Sequence, residues 1–521
     1  MNKYSDLVIF TTLAILFLSC QNTAQIQESC TVIPAPQETI IGKGFFPMKK
    51  ARLITATEAM LPEAEQLQKA IAGETGITIP VTTDSKFPHK GVIVLEAVSG
   101  KDEEAYELNI SKNNILLQAS SAAGMFYAGQ SLLQLIDSEG RIPCMKISDE
   151  PRFAWRGFLL DEDNCFFGKE TVKQYIDIMA RLKMNRFHWA VTGGTAWRFQ
   201  IRRYPELTEG RPFYSQEDIR EVVDYAKKRH VEVIPGINMP GHSGTITRAY
   251  PELSGGGNGF TVNPAKEETY DFINNVLKEL TEMFPAKHIQ IGGDEVHFGN
   301  ESWRTDPLIR QFIKKNHLGD EKGLEHYFIR RYCEAAFKHG YIPLGWDEIT
   351  KVGVPVNDVI VMFWRSVEQE TLNHLISNGN RIILASDNPL YLDFVQDGSH
   401  KVGRDQNSPN TLDLIYDYPE SSVYLQAIKE HPDRFPGIEA CMWTNWPGVE
   451  RDDRGATGIS KQQLEFMTFP RLIAIAETGW TNTERKNKAD FDRRLKIFMQ
   501  YLDRKNIYYY NPFDPDSTPW P

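Results

Sequence analysis

The chain has 521 residues, 41% hydrophobic and 24% charged, a globular balance large enough for two domains with a substantial core. A net charge of -11, a pI near 5.7 and the lack of any basic block argue against nucleic acid as a partner. Ten tryptophans is a high count: core filling accounts for several, and others suit stacking on the apolar faces of sugar rings.

Residues 1–20 read as an export signal. Lys3 supplies a positive start, and Leu7 to Leu18 is almost wholly apolar but too short to cross a hydrocarbon core of ~30 Å comfortably. The run ends in Phe17-Leu18-Ser19-Cys20, similar to a bacterial lipoprotein box, so Cys20 is the expected lipidation site and residues 21–29 a tether. A plain cleaved signal or a single membrane anchor is the alternative. No acidic run follows Cys20, and the expected location is periplasmic and membrane-anchored, with the cell surface as the other possibility. Cys30, Cys144, Cys165, Cys333 and Cys441 are scattered without metal-ligand spacing and are expected to pack as small hydrophobes.

Residues 30–149 read as a small α+β domain. Ile33-Pro34-Ala35-Pro36 opens it in extended form, and Ala64, Leu67, Ala70 and Ile71 give Pro62 to Gly73 helical spacing. Gly91 to Leu95 is a strand. Tyr106–Ile110 and Ile115–Ala119, separated by Asn113-Asn114, predict a hairpin, and Ala122 to Leu135 an amphipathic helix over it.

From residue 150 to 521 the pattern becomes strand, loop, helix, repeated. The predicted strands are Phe153–Leu160, Arg186–Trp189, Val231–Ile237, His288–Ile291, Ile342–Trp346, Val359–Trp364, Arg381–Leu384 and Ile438–Trp443. Eight such units predict a (β/α)8 TIM barrel, with a long loop between Asp387 and Ile438. A doubly wound open sheet is the competing architecture, but no glycine-rich phosphate loop supports it.

One stretch carries the chemistry. His288-Ile289-Gln290-Ile291 is a short buried strand, Gly292-Gly293 turns the backbone, and the adjacent carboxylates Asp294 and Glu295 follow at once. Two buried neighbouring carboxylates are pushed apart in proton affinity, which acid/base catalysis needs; a solvated acid pair on a loop is the plainer explanation. The barrel decides between them by placing other residues at strand ends. Arg156 and Asp161 are expected at the end of the first strand, His188 on the second and His242 after the third. Trp346, Asp347 and Glu348 follow on the fifth, Trp364 on the sixth, Tyr391 and Asp393 after the seventh, and Trp443 on the eighth. Acids with aromatic walls around one mouth fit carbohydrate hydrolysis. His188 and His242 would serve equally well as core histidines. Neither they nor His297 has metal-ligand spacing, so no metal and no cofactor are expected.

Gly292-Gly293-Asp294-Glu295 resembles the signature of family 20 glycoside hydrolases, the β-N-acetylhexosaminidases. Pro151 to Gly157, Lys183 to Trp189, Met239-Pro240-Gly241-His242-Ser243, Gly345-Trp346-Asp347-Glu348, Tyr391-Leu392-Asp393 and Pro470-Arg471 through Trp480 are similar to further motifs of that family. The resemblance implies a retaining exo-β-N-acetylhexosaminidase acting on terminal β-linked GlcNAc or GalNAc, in which the substrate's 2-acetamido oxygen is the nucleophile. It implies Glu295 as acid and base, Asp294 as partner of the acetamido N–H, and Tyr391 as donor to the acetamido oxygen. Trp346, Trp364 and Trp443 would wall the pocket; Arg156, Asp393, Asn445 and His242 would complete the substrate site.

Several positions depart from the family pattern. Asn238 stands for the usual Asp and Gly236 for a Glu; Ala190, Gly193 and Gly194 replace His and Asp-Asp; Asp163-Asn164-Cys165 replaces Ser-Arg-His; and Asn445 replaces a Glu. The losses cluster in sugar-hydroxyl contacts and in supporting residues: the usual Asp at 238 supports the motif histidine, here His242. Two other readings follow: a glycosidase for a substituted terminus, sulfated or extended, and a glycan-binding lipoprotein that does not hydrolyse.

Overall fold

The computed structural model describes residues 30–521 apart from 85, 87, 353–357 and 421. The expected signal 1–20 with Cys20, and the tether 21–29, lie outside the described residues.

Seven strands form the first sheet: β1 Glu38–Pro47, β2 Leu53–Ala56, β3 Val81–Thr82, β4 Val92–Ala97, β5 Tyr106–Ile110, β6 Asn114–Ala119 and β7 Arg141–Asp149, in the order β1-β7-β5-β6-β4-β2-β3. The expected hairpin is β5–β6, paired antiparallel. Alternation explains its facing: Tyr106, Leu108 and Ile110 are buried while Glu107 and Asn109 are exposed. The helices Leu61–Thr75 and Ala122–Gln134 bury their apolar stripes in the same core. Of these strands, β1, β2, β3 and β7 were not expected. Gly42 and Gly44 interrupt the alternation of β1, where the register shifts between Ile41 and Phe45.

All eight strands expected of the barrel are present, with ends moved by at most two residues: β8 Trp155–Asp161, β9 Arg186–Ala190, β10 Glu232–Met239, β11 His288–Gly292, β12 Ile342–Trp346, β13 Ile360–Phe363, β14 Arg381–Leu384 and β15 Gly437–Met442. Neighbours pair in parallel and β15 closes onto β8. Helices cover the outside. Gln216–Lys227 is typical: Ser215 and Asp218 form a capping box, and Ile219, Val222, Val223 and Ala226 face inward. The 387–438 segment is more ordered than a plain loop, with short helices at Leu412–Tyr416 and Tyr424–Glu430.

The structure corrects the placement of Arg156. It is the second residue of β8, at the opposite end of the strand from Asp161, and 1% exposed. Its guanidinium pairs with Glu104 of the first domain through Nη1 (2.8 Å) and Nη2 (2.9 Å), donates from Nε to the Lys183 carbonyl (2.7 Å), and stacks over Trp480 at 4.9 Å. Beside it, Lys183 Nζ donates to Asp149 (2.9 Å) and Tyr106 (2.8 Å), and Trp480 Nε1 to Asp149 (2.9 Å). Arg156 therefore fastens the first domain to the floor of the barrel and is remote from the mouth where sugars bind.

His188 also resolves structurally. Inside the barrel its Nδ1 lies 2.9 Å from Glu439 Oε1, while Trp155 Nε1 donates to Glu439 Oε2 at 2.9 Å. It is a core histidine with a carboxylate partner.

Candidate active site

At the end of β11 the backbone makes a turn that only glycines permit. Gly292 and Gly293 have φ of +80° and +87°, and a Cβ on Gly292 would fall 1.6 Å from Asn238 Oδ1. Glu295 itself sits in the left-handed region, φ 53°. This turn presents both carboxylates at the mouth.

Asn238, at the end of β10, donates from Nδ2 to Asp294 Oδ1 at 2.8 Å; an ionised carboxylate only accepts, which fixes the amide's orientation. His242 Nε2 lies 3.1 Å from Asp294 Oδ2 and 3.4 Å from Glu295 Oε2. Burial alone would strip the proton from His242, but the Asp294 and Glu295 charges outweigh it and push the imidazole up to about 10. Burial works against the charge on Asp294 too, yet His242 and Asn238 hold that carboxyl below its ordinary range. Asp294 is thus kept ionised, and Glu295 stands beside it, more exposed to the mouth. The Asn238 departure, read from the sequence as a missing support, is a direct donor to Asp294. Asn238→Asp would replace that bond by a like charge; the acidic limb of the kcat/KM–pH profile is expected to move up by about one unit.

His242, Asp294 and Glu295 offer ligand atoms all within 4.8 Å of one another, close enough to share a metal ion. As placed, the three form an ion-pair cluster, with the imidazole 3.1 Å from one carboxylate and 3.4 Å from the other.

Four aromatic residues enclose the space beside the acids. Trp346 and Trp443 have ring centroids 6.0 Å apart at 49°, Trp364 stacks on Tyr391 at 6.3 Å and 14°, and Tyr391 lies 6.2 Å from Trp443. Glu348 holds Trp364 by accepting from its Nε1 at 3.1 Å. Asp347, buried beneath, accepts from Arg365 at 3.0 Å; burial and the Glu348 charge hold its carboxyl well above the usual range. Burial keeps the Tyr391 phenol far above its ordinary value, so its hydroxyl remains a donor.

Asp393 is 1% exposed, and neither carboxylate oxygen has a hydrogen-bond partner among the described residues. Burial pushes it up to about 6, with Arg404 Nε, 3.1 Å away, opposing. With Oδ1 unpartnered among the described residues, this buried carboxylate is a ready acceptor for hydroxyl groups. Asp161 is spoken for: it accepts from the Asp163 and Thr444 amides (2.8 and 2.9 Å), Asn164 Nδ2 (2.9 Å) and Thr444 Oγ1 (2.9 Å), joining the loops after β8 and β15. Asn445 follows, exposed, with its carbonyl accepting from Arg451 at 2.6 Å.

The lost acids of the loop after β9 have a substitute. Asp163 Oδ2 lies 2.3 Å from where a Cβ on Gly193 would be, and Oδ1 accepts from the Thr195 (3.1 Å) and Ala196 (2.6 Å) amides. A carboxylate from the first barrel loop fills the volume vacated in the second. Burial and Asp161 raise its proton affinity.

Of the residues expected at the site, Asp294, Glu295, His242, Trp346, Trp364, Tyr391, Asp393 and Trp443 converge on one mouth, Asn445 stands at its rim, and Arg156 is excluded. A closed parallel barrel with paired acids and an aromatic pocket at the C-terminal ends of its strands defines a carbohydrate-processing enzyme. Comparison with known proteins makes this specific. Residues 153–483 match the model of the glycosyl hydrolase family 20 catalytic domain, and residues 29–150 that of the family's domain 2. A β-hexosaminidase of Porphyromonas gingivalis is 29% identical over 95% of this chain and 67% of its own length; one of Vibrio furnissii is 32% identical over 74% and 67%. The structure of the Vibrio harveyi GH20 exo-β-N-acetylglucosaminidase, in complex with N-acetylglucosamine, superposes with a TM-score of 0.82 at 27% identity, covering 93% of this chain and 79% of that one. The chain belongs to glycosyl hydrolase family 20.

Proposed function

We propose that this protein is a retaining exo-β-N-acetylhexosaminidase that works through the substrate's own acetamido group. The observation that carries the reading is the division between Asp294, held ionised by His242 and Asn238, and Glu295 beside it. In the first step the acetamido oxygen attacks C1 as the C1–O bond breaks, and Glu295 gives its proton to the leaving oxygen. Asp294 accepts the acetamido N–H and balances the positive oxazolinium that forms. Tyr391 donates to the acetamido oxygen, and Trp346, Trp364 and Trp443 hold the group in place and keep water from C1. In the second step Glu295 takes a proton from water as its oxygen attacks C1, and the acetamido group is released. Asp393 receives sugar hydroxyls.

A narrower reading, in which the terminal sugar carries a sulfate or a further substituent, draws support from Asn164 and Asn445, which stand where the family pattern has an Arg and a Glu. A binding-only role leaves the proton donor without purpose. Assay of aryl β-N-acetylglucosaminide and β-N-acetylgalactosaminide, plain and 6-sulfated, separates these. Turnover of the plain substrates, lost in Glu295→Gln, is the expected result; activity confined to sulfated ones would favour the narrower reading, and none at all would favour binding. We also propose export and anchoring through Cys20, with a periplasmic location and the cell surface as the alternative. Cys20→Ala is expected to move the protein from the membrane to the soluble fraction, and retention in the membrane would refute the anchor.

A further inference from the structure

We propose that β1 and the adjoining edge of the first sheet form a membrane seat: an apolar stripe flanked by lysines that lies on the anionic headgroups of a lipid bilayer. The inference draws on the Cys20 anchor proposed above and adds to it the surface that meets the bilayer.

The sheet has two unlike faces. The helix Ala122–Gln134 lies between it and the barrel, with Phe126 packed on His230 at 5.1 Å and Tyr127 on Trp480 at 5.3 Å. The opposite face therefore looks away from the barrel. At its β1 edge Ile40 is 56%, Ile41 43% and Phe45 36% exposed. The other large hydrophobic side chains that reach water among the described residues stand singly, each on its own element or loop. Pairing puts Ile40 opposite Lys146 and Phe45 opposite Pro143 of β7. Lys112 reaches over Gly44, its Cε 2.6 Å from where a Cβ would be, and Lys43 stands between Ile41 and Phe45. Lys43, Lys112 and Lys146 are exposed and make no ion pair among the described residues. The nearby acids are engaged elsewhere: Asp137 and Glu139 hold Arg141 at 2.9 Å each, and Glu107 holds Lys101 at 2.7 Å. Glu38, at the start of β1, is the one acid of that strand.

Charge and chain length say what covers this edge. The whole chain carries -11, so three lysines around an apolar stripe run against its average and suit an anionic surface. Lysine alone guards an edge strand against pairing; isoleucine and phenylalanine beside it add nothing to that guard. A bilayer surface takes both, the apolar side chains into its acyl boundary and the ammonium groups onto its phosphates. The tether points the same way. Residues 21–29 span at most about 30 Å, and Cys30, to which they lead, lies within hydrogen-bonding reach of Thr39 on β1. A lipid on Cys20 therefore keeps β1 close to the bilayer. Arg156 joins the first domain to the barrel at the start of β8, so a seat on β1 leaves the mouth open to solvent.

The test uses the chain from residue 21, which retains every described residue and lacks the acylated cysteine. It is mixed with phosphatidylcholine vesicles, with or without phosphatidylglycerol, and sedimented. Binding to the anionic vesicles, about tenfold weaker on the neutral ones and weakened by salt, is the expected result. Ile40→Glu with Phe45→Glu, and separately Lys112→Glu with Lys146→Glu, are each expected to lower the bound-to-free ratio by about tenfold. All four residues are exposed, and an unchanged urea midpoint shows that each variant is folded. No binding by the parent chain, or equal binding by both variants, would overturn the seat. So would a dimer abolished by Ile40→Glu with Phe45→Glu in a chain that ignores vesicles, because β1 would then pair with a second copy. Acylation plays no part in this assay, so failure of the Cys20 anchor, read by fractionation, and failure of the seat are separate results.

Discussion

Glu295→Gln is expected to lower kcat/KM for a disaccharide by roughly 10³- to 10⁴-fold, the range for removing a positioned proton donor. The substitution keeps shape and hydrogen-bonding reach and removes only the transferable proton. Its expected signature is dependence on the leaving group. A sugar alkoxide cannot depart unprotonated, so disaccharides suffer the full loss. Fluoride or a nitrophenolate departs with less help, so the first step survives better and the second, which needs a base, becomes limiting. Azide, a nucleophile that needs no base, is then expected to raise turnover of the activated substrates. Equal losses on both kinds of leaving group would show that Glu295 does not hold the proton. His242 strengthens the expectation. Its imidazolium is held by Asp294 as well as by Glu295, so Asp294 keeps its cationic partner when the Glu295 charge is removed.

The second large effect belongs to a residue that does no chemistry. Arg156→Met is expected to destabilise the folded chain by about 3–5 kcal/mol, the cost of stripping one partner from a buried ion pair, with the KM for sugar unchanged. Burial raises the proton affinity of Glu104, but Arg156 and the Asn185 amide more than offset it and the net shift is downward. The sign follows. A depressed acid contributes stability above its ordinary value of 4.5 and loses it as pH falls through the lowered one. The wild type should therefore lose this contribution only in acid, whereas the variant lacks it at neutral pH. Glu104→Gln added to Arg156→Met is expected to recover part of the loss, since no unpaired charge then remains. Urea unfolding at several pH values measures both. A tenfold rise in KM with stability intact would return Arg156 to the sugar site.

What the sequence made legible follows from periodicity and local chemistry. The eight barrel strands stood out because short β-branched runs alternated with amphipathic helices, and Gly-Gly before Asp-Glu already announced a sharp turn presenting two acids. What stayed hidden needed three-dimensional register. Arg156 lies on a strand buried along its whole length, so no alternation showed that its side chain faces Glu104 and Trp480 outside the barrel. Asn238 looked like a loss because its role depends on the pairing of Met239 with Gly292, which brings β10 beside the acid turn. Asp163 was legible only as a departure from the family pattern, because Gly193, whose place it fills, is in another loop. β1 was missed because its two glycines and register shift erased the alternation that a single strand shows.

The interlocking of Asp163 with Gly193 bears on how such a site changes over generations. The carboxylate of one occupies the place where the other would grow a side chain, 2.3 Å from its Cβ position. Restoring an acid at 193 in the present background would crowd two carboxylates into one volume, so that reversal is closed until position 163 shrinks first. An acid can therefore enter position 193 only together with a smaller residue at 163: the two loops share one volume, and their side chains are admissible as a pair and not one at a time.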